Sequence, residues 1–468
     1  MKTFKDHVTI KTFAAACLVL LAGCAMGPKY VRPTVTVPAA YKENKDWKPA
    51  QPRDNYLKGE WWKVFNDPRL DALETQVDIS NQNIALAQAQ YEQSYALVKA
   101  SQSAFFPILT TTGSYTRSHA ASGSKSATSQ TLLKADVSWE VDLWGRIRRT
   151  MESYKAQAQA SAADLQNARL SAQAQLAFDY FGLASLDAQK RLLDDTVVLY
   201  KKFLVLTENR HAGGVAALAD VIQARTQLEG AQAQQIDIGV ARTQLEHAIA
   251  LLVGKPAPDF SLPALVLPAE VPSVPAGLPS QLLERRPDIA SAERTVASAN
   301  AAIGVAEAAY FPTLTLSASG SYESSNLANL FASPNPLWSL GPALAETIFD
   351  AGLRRAQTAQ AKAVYNQQVA SYRQTVLTAF EQVEDNLSAL RIFAEEQAIQ
   401  DQALKDAQKA VALETDRYKA GTVSALDVIT TQATSLADQR TDISLIGQRL
   451  QACVRLIEYL GGGWGEDK

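Results

Sequence analysis

The clearest pattern in the chain is a strict alternation. Leu133, Ala135, Val137, Trp139, Val141 and Leu143 are separated one by one by Lys134, Asp136, Ser138, Glu140 and Asp142. A period of two predicts a β-strand wetted on one face, here over Leu132 to Leu143. Phe105 to Tyr115 is a second strand candidate, and the small, polar Ser118 to Gln130 between them reads as an exposed loop. Thr313 to Tyr322 and Leu337 to Phe349 repeat this arrangement more weakly, with Pro334 and Pro336 in the intervening loop. Elsewhere the pattern is helical. Asp67-Pro68 is an N-cap followed by proline at the first helical position, and it opens an Ala/Gln-rich helix to about Ala104. Arg146 to Arg210 holds no proline and one glycine, Gly182, and Gly352 to Arg417 is almost the same length. At about 1.5 Å per residue each would be roughly 100 Å long. Globular helices seldom exceed about 25 residues, so these two belong to an elongated object. Segments 67–104, 218–252, 280–309 and 424–460 are shorter, and pairs of them would stack end to end beside each long helix.

The same order is written twice. Ala104-Phe105-Phe106-Pro107 recurs as Ala309-Tyr310-Phe311-Pro312, and Asn83-Ile84-Ala85 as Asp288-Ile289-Ala290, both at an offset of 205. Gly145 recurs as Gly352, and Arg210 to Ile222 as Arg417 to Ile429, at an offset of 207. Such order marks a duplication. The predicted organisation is a first repeat over 67–254, a proline-rich extended linker over 255–279 and a second repeat over 280–460. An arm over 24–66 precedes them and a tail over 461–468 follows.

Composition narrows the class. The chain is 47% hydrophobic, yet no stretch after residue 24 is long and apolar enough for a transmembrane helix, so any crossing must be made by strands. Four strands cannot close a barrel, which needs about eight or more. Three copies supply twelve, whereas two supply eight, whose interior is filled by side chains and could not conduct, so three follow only together with a need for an open lumen. The expected fold is therefore an α+β membrane protein: a trimeric, twelve-stranded transmembrane barrel continuous with a long α-helical barrel. Small and uncharged residues such as Ala85, Gln88, Ala158 and Gln159 suit a hollow helical wall. They would equally suit a coiled-coil stalk or adhesin without conductance, the alternative reading.

At the N-terminus Lys2, Lys5 and Lys11 precede the apolar Phe13 to Ala22, the layout of a secretory signal over residues 1–23. Leu21-Ala22-Gly23-Cys24 resembles the lipobox of bacterial lipoproteins, which makes Cys24 the expected lipidation site. Ala25 after it, rather than Asp, directs sorting to the outer membrane. A formal charge of −3 leaves no basic excess for nucleic acid. The four histidines are scattered, and Gly254-Lys255 is followed by Pro256 rather than by the rest of a phosphate loop. No enzyme chemistry, metal or cofactor is expected beyond the covalent lipid on Cys24.

Several segments carry a family resemblance: Leu283-Glu284-Arg285-Arg286-Pro287-Asp288, Tyr310-Phe311-Pro312, Ile348-Phe349-Asp350-Ala351-Gly352, Arg417-Tyr418-Lys419-Ala420-Gly421 and Leu460-Gly461-Gly462-Gly463-Trp464. Across essentially the whole mature chain the sequence resembles the TolC-like outer-membrane factors, in the NodT/OprM lipoprotein branch. The resemblance implies a homotrimeric exit duct of a tripartite efflux system, with a helical tunnel in the periplasm. It also implies docking onto a periplasmic adaptor and an inner-membrane pump, usually proton-driven. The turns at Gly213-Gly214 and Gly421, with Arg210 and Arg417 before them, would form the tips that meet the adaptor. Asp427 matches an acidic residue of the family's periplasmic aperture, and Asp220 is its counterpart in the first repeat. Tyr418 matches a tyrosine of the lock at that aperture, although the lock's arginine corresponds to Val423 here. Both aspartates also suit the start of a helix, where they accept backbone N–H groups.

Overall fold

The computed structural model describes residues 25–38, 40–43, 59–119, 127–272, 274, 285–332 and 336–462. The signal, Cys24 and the helix start expected at residue 280 lie outside them. Seven α-helices and four strands are described: α1 (Pro68–Ser80), α2 (Gln82–Ser103), β1 (Ile108–Ser118), β2 (Thr128–Val141), α3 (Arg146–Ala212), α4 (Leu218–Leu252), α5 (Pro287–Ala308), β3 (Thr313–Ser324), β4 (Pro336–Ala345), α6 (Leu353–Lys419) and α7 (Ala425–Tyr459). The two long helices, α3 and α6, run 67 residues each without a break.

The helix expected over 67–104 is interrupted at Asn81. Its backbone turns extended (ψ 122°), and its Oδ1 accepts the N–H groups of Asn83 (2.9 Å) and Ile84 (3.2 Å), which caps α2. Its Nδ2 meanwhile donates to Leu252 O (2.8 Å), a terminal carbonyl of α4. One side chain thus starts a helix and finishes another, so α4 meets the α1–α2 junction end to end. The second half has the same joint with different chemistry. There Arg286 donates Nη1 to Tyr459 O at the end of α7 (3.0 Å) and pairs with Asp288 (2.7 Å).

Strand limits also shift. Phe105 and Phe106 close the end of α2 in turns on Gln102 and Ser103, so β1 starts only at Ile108. The hairpin extends to a Ser118–Thr128 pair, taking in Thr128, Ser129 and Gln130, which read as loop in the sequence because they lack apolar alternation. At the other side β4 stops at Ala345, short of Phe349.

The chain divides into two compact units, each drawing on both halves. The first ends its N-terminal part at Thr34 and adds Ala89–Ala162 and Ser291–Gln374, including the whole sheet. The second comprises Val35–Gln88, Ala163–Ala290 and Thr375–Lys468. Its core gathers Trp61, Leu70, Tyr180, Phe181, Ile249 and Leu265, all essentially without exposure. Tyr180 donates its hydroxyl to Asp67 (2.6 Å), the residue that caps α1 through Arg69 N–H (2.9 Å). The lone glycine of α3 has a packing reason: a Cβ on Gly182 would stand 3.0 Å from Gln451 of α7. A half-buried network fastens the linker to the helices. Arg242 binds Asp187 (2.7 Å), Glu246 (3.0 Å) and Leu262 O (2.9 Å), while the same two carboxylates accept the N–H groups of Leu265 and Leu262.

Candidate functional site

Two places are candidates for conduction: the sheet and the helix turns. The strands form one antiparallel sheet in the order β1-β2-β3-β4, so the two halves are joined by the pairing of β2 with β3. Directly opposed residues share a face. Through the register, Leu133 lies with Gly113 and Tyr322, Val137 with Leu109 and Ala318, and Ala318 in turn with Leu340. Trp139 falls opposite Leu316, and Gly320 opposite Trp338. The resulting face is apolar across all four strands, and it is open: Trp338 is 82% and Leu340 76% exposed. The opposite face carries Thr110, Thr112, Ser138, Ser317, Ser319 and Ser339, with one ion pair between Lys134 and Asp136 (2.7 Å). Aromatic residues stand toward both ends of the apolar face, Tyr115 and Tyr322 at one and Trp139 at the other. The edges β1 and β4 have no strand partner among the described residues.

Each helix turn reverses a long helix into a shorter one. Gly214 (φ +75°) and Gly421 (φ +77°) adopt the left-handed conformation there, whereas Gly213 does not need it. Asp427 sits three residues into α7. Its carboxylate accepts from Ser424 N–H (2.9 Å) and Ser424 Oγ–H (2.7 Å), while Asp427 N–H donates weakly to Ser424 Oγ (3.4 Å). These bonds hold its pKa below the ordinary carboxylate value. Asp220 does half as much, accepting only Ala217 N–H (3.2 Å), because alanine offers no hydroxyl. Asp427 is exposed and Asp220 half-buried. The helix-start role of Asp220 and Asp427 is thus present, displaced from the cap itself to the third helical position.

Tyr418 is only 2% exposed, within a cluster of Phe203, Ala224, Ala425 and Val428 against which Val423 also packs. The guanidinium of Arg210 lies 4.6 Å above its ring and donates Nη1 to Tyr418 O (2.9 Å) and Lys419 O (3.3 Å). A cation from the first repeat therefore caps the C-terminus of the second repeat's long helix. Its counterpart Arg417 is more exposed and pairs with Glu414 in its own helix (2.8 Å). The matching arginines are visible as a repeat, but nothing in the sequence tells that one reaches the other turn. Phe203, the aromatic neighbour of Tyr418 at 5.4 Å, carries no signal beyond helical periodicity.

Comparison with known proteins bears on both regions. The description of the outer membrane efflux protein family matches the chain twice, over residues 73–255 and 278–462. The toluene efflux pump outer membrane protein TtgC of Pseudomonas putida is 31% identical, covering 97% of this chain and 95% of that protein. The pyoverdine export outer membrane protein OpmQ of Pseudomonas aeruginosa is 32% identical, covering 97% of each. Among solved structures, the outer-membrane channel OprN superposes with a TM-score of 0.88 at 29% identity, over 94% of this chain and 100% of that one. The open state of the Neisseria gonorrhoeae MtrE outer membrane channel gives 0.81 at 27% identity, over 95% and 99%.

Proposed function

Because the chain belongs to the outer membrane efflux protein family and is the outer-membrane exit duct of an efflux system, we propose that three copies close into one conducting tube. The observation that carries this reading is the sheet: apolar on one face, hydroxyl-rich on the other, and, among the described residues, bare at both edges. In hydrocarbon each unpaired backbone group costs several kcal/mol, so β1 of one copy pairs with β4 of the next until no edge is left. The apolar face meets lipid and the hydroxyl face lines the lumen. A stalk without conductance has no use for such a sheet.

The same reading assigns Cys24 as the lipid anchor, supported by the position of Ala25 beside Gly145, at the turn that leaves β2. Gly213, Gly214, Gly421, Arg210 and Arg417 form the tips offered to a periplasmic adaptor, which couples the duct to a proton-driven inner-membrane pump. Asp220 and Asp427 line the periplasmic aperture as rings of three, favouring cations there. Tyr418 acts from behind as a buried wedge that keeps the two turns together. Relatives at nearly equal distance are named for toluene and for pyoverdine, which suits a duct whose cargo is selected by its pump.

Reconstitution of the purified protein in a planar bilayer tests the core of this reading. Stepwise conductance from a species three chains in mass is expected; a silent protein, or one that stays monomeric in detergent and bilayer, would overturn it.

A further inference from the structure

The first described residues of the arm lie in a slot assembled from both halves. Met26 N–H donates to Trp144 O (3.0 Å), just after β2. Arg149, 6% exposed, donates Nε to Met26 O (2.8 Å) and Nη2 to Gly27 O (3.1 Å), while Nη1 holds Glu152 (2.8 Å). From α5, Asn300 Nδ2 donates to Pro28 O (3.0 Å). Three successive carbonyls of an irregular segment are each taken by a side-chain N–H. Steric fit reinforces this grip. A Cβ on Gly27 would stand 2.4 Å from Gly304 Cα, one on Gly304 would stand 2.7 Å from Met26 O, and one on Gly145 would stand 2.8 Å from Ala25 Cα. Gly27 moreover holds φ +88°, which side chains resist. Further along, Tyr30 donates its hydroxyl to Glu293, and the guanidinium of Arg294 lies 5.8 Å from its ring. Beside the slot Trp144 stacks on Phe311 at 4.7 Å and donates to Pro312 O (2.8 Å), directly ahead of β3.

A loose tether for a lipid would need none of these contacts. We propose that the slot is a receptor for the acylated N-terminus, gripping Ala25–Tyr30 whether or not lipid is attached. Recognition runs through backbone carbonyls and three close-packed glycines. It holds Ala25 against Gly145, the residue after Trp144, so acyl chains carried ahead of Ala25 would enter the bilayer at the foot of the sheet. Amphipathic rings favour that boundary between hydrocarbon and water. Because Trp144 and Arg149 come from the first half and Glu293, Asn300 and Gly304 from the second, the docked arm also ties the halves together. Only the placement of acyl chains rests on reading Cys24 as the lipid site.

Limited trypsin digestion of the full chain, purified in detergent so that both membrane faces are accessible, tests the slot. Lys29 is exposed within the arm, whereas Arg32 is protected by Pro33. Cleavage after Lys29 requires the bound segment to leave the slot, so Arg149→Ala and Gly27→Val should each speed it by about tenfold or more. Gly27→Val changes the arm alone, which separates undocking from a misfolded barrel. Cys24→Ser, exported behind an ordinary cleavable signal, should lose palmitate labelling and keep the parent's slow cleavage. Parent-like cleavage in both slot variants would overturn the proposal, as would fast cleavage in Cys24→Ser. Absent palmitate in the parent, with slot variants behaving as expected, would sink the lipid reading and leave the slot standing.

Discussion

Glu74 has no exposed surface and, among the described residues, no hydrogen-bond partner for either carboxyl oxygen. Burial, with Asp78 and Asp71 nearby, holds its pKa well above the ordinary 4.5. The folded protein keeps a proton that the unfolded chain gives up, so stability falls as pH rises from the unfolded value toward the folded one. Glu74→Gln is expected to raise the thermal midpoint, and its advantage should widen as the pH is raised above the ordinary 4.5. An advantage independent of pH would mean the carboxyl is not held neutral. At the turns, a pair of variants separates cap from charge. Asp427→Ala should weaken block of the pore by multivalent cations, while Ser424→Ala, costing about 1 kcal/mol of helix capping, should leave the block in place. Equal effects on block would remove Asp427 from the aperture. The two aspartates were legible as helix-start residues because capping is local. The bond from Arg210 to the other turn was not, since contacts between chain positions so far apart leave no periodic trace.

Among the elements, β2 was the most legible, because from Leu133 to Val141 its apolar and polar residues alternate without a fault. Its first residues escape the pattern for the complementary reason: hydroxyl side chains satisfy a strand and a loop equally well. The break in the first helix was invisible for a different reason. Asn81 sits in sequence that reads as helix on both sides, and only the need of α4 for a terminal donor pulls it out. The prolines of the linker announce an extended segment, but its fastening by Arg242 depends on two acids from separate helices. Arg242→Ala strands Asp187, whose side chain is 2% exposed, and should cost about 3–5 kcal/mol in denaturant unfolding. The double replacement Arg242→Met with Asp187→Leu should cost much less. If the single and double variants unfold alike, the network is not what holds the linker.

For the molecule as a whole, the duplication and the lack of a spanning helix already implied a barrel built by several chains. The faces of that barrel now make opposite predictions. Leu340→Lys places a charge on the apolar face and should cost the assembled barrel about 2–4 kcal/mol if that position lies near the middle of the bilayer, read as loss of heat-resistant oligomer on a gel. Ser339→Lys, one residue away on the hydroxyl face, should leave the oligomer intact and lower cation conductance. Reversal of these two outcomes would turn the sheet inside out. The seam between β2 and β3 bears on how such a barrel comes together. Each half contributes one hairpin, and a ring of separate halves would need six bodies to meet. Tethering two halves in one chain makes every second seam intramolecular, so the proposed ring closes at third order in protein concentration rather than sixth. Duplication thereby changes how dilute the protein can be and still assemble.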